Sequence, residues 1–169
     1  WLVYDRLCKS KLGESPTLLM LLLFALLVAM GYGYNEIFTG RATMLHLGAF
    51  TATIMTANVF LVIMPNQRIV VADLKAGRAP DPKYGKIAKL RSTHNNYLTL
   101  PVVAMMISNH YPIAFGHPLN WILVAFVLAI GGIVRHFFNS HDMGKHGWAV
   151  WWQLPIASFL FVGMMWLSS

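Results

Sequence analysis

The chain of 169 residues is 57% hydrophobic and only 11% charged, a balance that excludes an ordinary soluble domain. Its single cysteine, Cys8, excludes an internal disulfide, a CxxC metal site and the CxxCH that would attach a haem covalently. The net charge of +7 would suit a nucleic acid, but the basic residues gather between apolar stretches, where membrane topology accounts for them. No nucleic-acid partner is expected.

Apolar runs of about 18 or more residues recur, which predicts an all-α, polytopic helical bundle in contact with membrane lipids. The chain starts on Trp1 rather than Met, which reads as processing or as part of something longer. Residues 1–14 are short and mixed. Ser15-Pro16 then reads as a helix start, and a first span covers about residues 16–34. A brief break leads to a second span, about 42–64, expected to stop at Pro65. It carries His46, Thr51, Thr53, Thr56 and Asn58 in an apolar setting. Residues 66–92 are polar and strongly basic, with a turn-rich break at Gly77–Pro82 and room for short interfacial helices on either side.

The third span, about 94–113, belongs to the stretch Arg91–Pro112, which has a polar, histidine-bearing cluster at each end. His94 and His110 would lie roughly 24 Å apart along a helix, close to the depth of a hydrocarbon core. The link Ala114–Pro118 leads to a fourth span, about 119–138, and the basic link 139–147 to a fifth, about 148–167. Trp148, Trp151, Trp152 and Trp166 resemble the aromatic belts of the two interfaces. The positive-inside rule puts the 66–92 loop in the cytoplasm. Alternation then gives one transmembrane domain over residues 1–169, with its N-terminus inside and its C-terminus outside.

That topology sorts four histidines into two layers: His46 and His110 near the outer face, His94 and His136 near the inner. Stacked imidazole pairs on neighbouring helices suit two b-type haems or other redox metals. The competing reading is that they are interfacial hydrogen-bonding residues, with Thr and Asn as packing glue. One face of the fourth span, Ala125, Ala129, Gly132 and His136, would admit a close neighbour. No soluble-enzyme motif occurs, and no acidic residue falls within a span.

The runs LHLGAFTATIMTANVFLVIMPNQ (Leu45–Gln67), VADLKAGRAPDP (Val71–Pro82), RSTHNNYLTLPV (Arg91–Val102), ISNHYP (Ile107–Pro112) and RHFFN (Arg135–Asn139) resemble the membrane domain of bacterial membrane-bound, cytochrome-c-linked urate hydroxylases, the urate oxidase N-terminal domain family. The resemblance covers nearly the whole chain. It implies a multi-pass protein of the bacterial inner membrane that oxidises urate to 5-hydroxyisourate and passes electrons to a cytochrome c domain or protein on the periplasmic side. It also implies further spans before Trp1 and a CxxCH after Ser169. The chain is therefore expected to be a fragment, a split subunit or a relative without the cytochrome.

Electrons crossing a bilayer need intermediate centres, and the two histidine layers could hold haem b. Under this reading Arg91, Asn95 and Asn96 are candidates for binding a planar purine anion. Their plainer reading is helix capping plus a positive-inside charge. The alternative from another class is a non-catalytic membrane subunit packed against other chains of a respiratory or photosynthetic complex.

Overall fold

The computed structural model describes residues 1–111 and 116–168. Residues 112–113 at the expected outer end of the third span, and Ala114 and Phe115 of the link after it, fall outside them. Helices α1 (Leu2–Lys9), α2 (Pro16–Ile37), α3 (Gly40–Asn58), α4 (Met64–Lys75), α5 (Pro82–Ile107), α6 (Asn120–Asp142), α7 (Trp148–Trp151) and α8 (Gln153–Ser168) follow in order, with no strand among the described residues. They group into two compact units, Trp1–Leu21 with Ala52–Asn96, and Leu22–Thr51 with Tyr97–Ser169.

In the first unit the mixed N-terminal segment is ordered. Helix α1 turns Tyr4 and Asp5 inward and leaves Leu2 and Val3 exposed. Ser10 then caps a tight 3₁₀ turn at Lys11–Glu14, its hydroxyl accepting from the Leu12 amide at 3.3 Å. Pro16 opens α2 as the Ser15-Pro16 pair predicts.

Pro65 does not end the second long helix. Helix α3 continues through a π-helical turn, Val59–Ile63, into α4, giving an unbroken helix from Gly40 to Lys75 of 36 residues. Proline withholds an amide and crowds the carbonyl one turn back. The wider π turn just before it takes up that misfit. The side chain of Asn66 also donates to the Val62 carbonyl at 2.7 Å.

The helix stops at Gly77, whose φ of 70° suits glycine, where the amides of Gly77 and Arg78 close back on the carbonyls of Leu74 and Asp73. Asp81 then accepts from the Lys83 amide at 2.9 Å, and α5 begins at Pro82. Most of the expected 66–92 loop is therefore helical. Its Lys, Arg, Leu and Ala residues are good helix formers, and polarity alone does not break a helix.

In the second unit the bundle core holds Leu23, Leu27, Met44, Leu47, Met105, Leu123, Val124 and Leu128. Glycines mark the closest approaches. A side chain at Gly31 would meet Val124 and Leu47, and one at Gly48 would meet Met105 and Met106. Gly131 on α6 receives the ring of Pro101, while Gly132, the expected contact, has nothing within 4 Å. Helix α8 packs along α6, and the expected fifth span is two helices, meeting at Trp152.

Among the described residues three helices are long and apolar enough to cross a membrane: Pro16–Ile37, Gly40–Lys75 and Asn120–Asp142. Helix α5 falls short in apolar character because it carries the polar side chains of the candidate site, and α8 has 16 residues.

Candidate functional site

The first unit encloses a polar cluster built from α1, the end of α3 and the middle of α5. Asn58 is its hub and is 0% exposed. Its carbonyl oxygen accepts from the Trp1 indole at 3.1 Å, and its amide donates to the Tyr4 hydroxyl at 3.2 Å and to the Asn95 carbonyl at 3.0 Å. Asn95 in turn donates to the main-chain carbonyl of Met55 at 2.9 Å. Tyr4 and His94 Nδ1 share a hydrogen bond of 2.7 Å.

Beside this network Arg91, 2% exposed, places Nη2 2.6 Å from Asp5 Oδ1, and its guanidinium lies 4.9 Å from the Tyr4 ring centroid. A buried guanidinium persists only with such a counter-charge. The other carboxylate oxygen of Asp5 takes Lys9 at 2.6 Å. Two atoms are left over: Arg91 Nη1 and His94 Nε2 are buried with no hydrogen-bond partner among the described residues. Helix α1 thus supplies the charge and the phenol that hold the middle of α5 in place, and Trp1 just before it ties in Asn58.

Burial is the main cause that pushes the Tyr4 phenol up, so it is a neutral hydroxyl at pH 7. Burial likewise raises the Cys8 thiol, and the charge of Arg91 only partly opposes it. Maleimide labelling of Cys8 at pH 7 is therefore expected to run slower than at an exposed cysteine, and to speed up about tenfold per pH unit as the thiolate forms. Labelling at the free-cysteine rate would show the thiol to be unburied.

The sequence candidates divide. Arg91, Asn95 and Asn96 lie well inside α5, so helix capping is not their role. The amide of Asn95 is engaged within the protein and Arg91 is held by Asp5. Arg91 nevertheless lines a cavity of about 660 Å³. Asn96 also takes part in an interaction with its surroundings.

Of the histidines, His94 is 1% exposed and its Nε2 is sealed by protein. His46, His110 and His136 are exposed on this chain. His46 Nδ1 donates to the Ala42 carbonyl at 2.7 Å, and its ring stacks on Phe38 at 4.7 Å. His136 Nδ1 and the Tyr97 hydroxyl share a hydrogen bond of 2.6 Å. Arg41 donates to Asn109, joining the start of α3 to the 3₁₀ turn Ser108–His110 that holds His110.

Among the described residues no three His, Cys, Asp or Glu side chains gather as a metal cluster would require. Axial ligation of a haem needs less, and His46 fits it. A carbonyl can only accept, so Nδ1 carries the proton and a neutral ring keeps the Nε2 lone pair for iron, held in orientation by the same bond. His94 in this conformation does not fit, because no porphyrin reaches a sealed nitrogen.

The sequence reading missed Trp1, Tyr4 and Asp5. The available signal was an acidic residue and two aromatics in a short segment ahead of a buried arginine, but nothing in their spacing linked positions 5 and 91. Comparison with curated proteins and with solved structures gives no match. The family model described as urate oxidase N-terminal matches residues 1–168, and the protein belongs to the urate oxidase N-terminal family.

Proposed function

We propose that the chain is the membrane redox domain of a urate-hydroxylase-like oxidoreductase, passing electrons across the bacterial inner membrane toward a periplasmic cytochrome c. The family assignment and three helices of membrane-crossing length support a membrane location. In this reading α5 and the α7–α8 pair complete five spans, with the N-terminus in the cytoplasm. The polar residues Arg91 and His94 of α5 are then tolerable because protein covers them: both are buried.

The observation that carries the redox reading is His46, an exposed imidazole whose Nδ1–H is fixed by a backbone carbonyl. His110 stands on the turn that Arg41 of the same helix holds, making it the natural partner of His46 in an outer pair. A haem b held there would supply one-electron exchange. His136, oriented by Tyr97, is the corresponding candidate at the other level.

The purified protein is expected to show a reducible Soret and alpha band, and His46→Ala or His110→Ala is expected to remove one haem's share of it. A spectrum without a Soret band would overturn the haem reading and leave a non-catalytic membrane subunit. Bands untouched by both substitutions would remove the outer pair.

A further inference from the structure

The cavity beside Arg91 is lined on its polar side by Lys9, Lys11, Glu14, Lys86 and Arg91, and on its apolar side by Val62, Ile87 and Leu90. Four cations thus face one carboxylate, with Asp5 behind them shared between Lys9 and Arg91. Lys11 and Lys86 have no ion-pair partner among the described residues. The excess charge is positive on any assignment. Arg91 itself is 2% exposed and held by Asp5, so the cations open to a ligand in the cavity are the exposed Lys11 and Lys86.

The depth of the cavity narrows the ligand. Pro16, its neighbour in the lining, is the first residue of α2, a helix long and apolar enough to cross a bilayer, so the cavity stands where that helix would enter the headgroup layer. Ile87 is exposed beside it, and α1 leaves Leu2 and Val3 exposed on the same unit, as an interfacial segment does. Phosphate oxygens match the two exposed ammonium groups of Lys11 and Lys86, and the apolar wall suits the glycerol and first methylenes of a lipid.

We infer that this cavity is a binding site for a phosphate monoester or diester anion, supplied by the headgroup of an acidic phospholipid. The inference stands apart from the redox reading and needs no haem.

The test is calorimetric titration of the full chain in neutral maltoside micelles with short-chain phosphatidylglycerol, short-chain phosphatidylcholine, inorganic phosphate and urate. Phosphatidylglycerol is expected to bind saturably, phosphatidylcholine not at all and inorganic phosphate more weakly. Lys11→Gln with Lys86→Gln is expected to weaken phosphatidylglycerol binding about 25-fold, while Lys75→Gln with Lys145→Gln, outside the cavity, leaves it unchanged. Equal binding of the two lipids, or a Lys11/Lys86 double variant that binds as the native chain does, would overturn the site. Inorganic phosphate binding as tightly as the lipid would overturn the headgroup as its source. Urate displacing the lipid at lower concentration would reassign the cavity to substrate.

Discussion

Asp5→Asn is expected to destabilise the protein by about 3–5 kcal/mol, the cost of leaving a buried charge without its partner. The substitution keeps the shape of the side chain and removes the counter-charge of Arg91, which is 2% exposed and already has one nitrogen unpartnered. Lys9, whose side chain is 69% exposed, pairs with the same carboxylate, yet Lys9→Gln is expected to cost less than about 1 kcal/mol because water screens it. Asp5→Leu combined with Arg91→Leu should be far milder than Asp5→Asn alone, since removing both charges leaves nothing buried and unpaired. Thermal melts in detergent, read by tryptophan fluorescence and size exclusion, would rank the variants. If Asp5→Asn melts with the native chain, α1 is not anchored through this pair.

Gly131→Ala and Gly132→Ala are expected to move stability in opposite directions. A Cβ at Gly131 would stand 2.6 Å from Pro101 Cδ, 2.8 Å from Cγ and 3.0 Å from the proline nitrogen. The pyrrolidine ring cannot rotate away, so the α5 backbone itself must shift, at a cost of about 1–3 kcal/mol or more. At Gly132 nothing lies within 4 Å, and alanine there should stabilise the helix by about 0.5–1 kcal/mol. Pro101→Ala should recover part of the Gly131→Ala loss. Equal melting of the two single variants would contradict the packing of α5 on α6 at this point.

Local regularities of the sequence carry much of this architecture. Runs of apolar residues specify α2, α3 and α6, because a backbone shielded from water must satisfy its own hydrogen bonds as helix. Ser15-Pro16 sets the start of α2, and Gly77 sets the stop of α4, inside the predicted turn. At Pro65 a π turn absorbs in three dimensions what the one-dimensional pattern treats as a break. The small-residue face of the fourth span holds Gly132, whereas the close contact falls on Gly131. A wheel ranks faces by composition, and the two glycines differ only in which of them the Pro101 ring covers.

The chain by itself determined that it is helical, the starts of α2 and α6, the basic segment at residues 66–92, and the family, since each depends on neighbouring residues or on an ordered run of them. Only the tertiary structure decided which polar side chains meet. Asp5 and Arg91 stand 86 positions apart, Tyr4 and His94 90, and no periodicity spans such gaps. The same holds for the histidines: sequence places four imidazoles at helix ends, but burial seals Nε2 of His94, and a carbonyl one turn away fixes Nδ1–H of His46. Protonation and access are properties of surroundings, and surroundings exist only once the helices have packed.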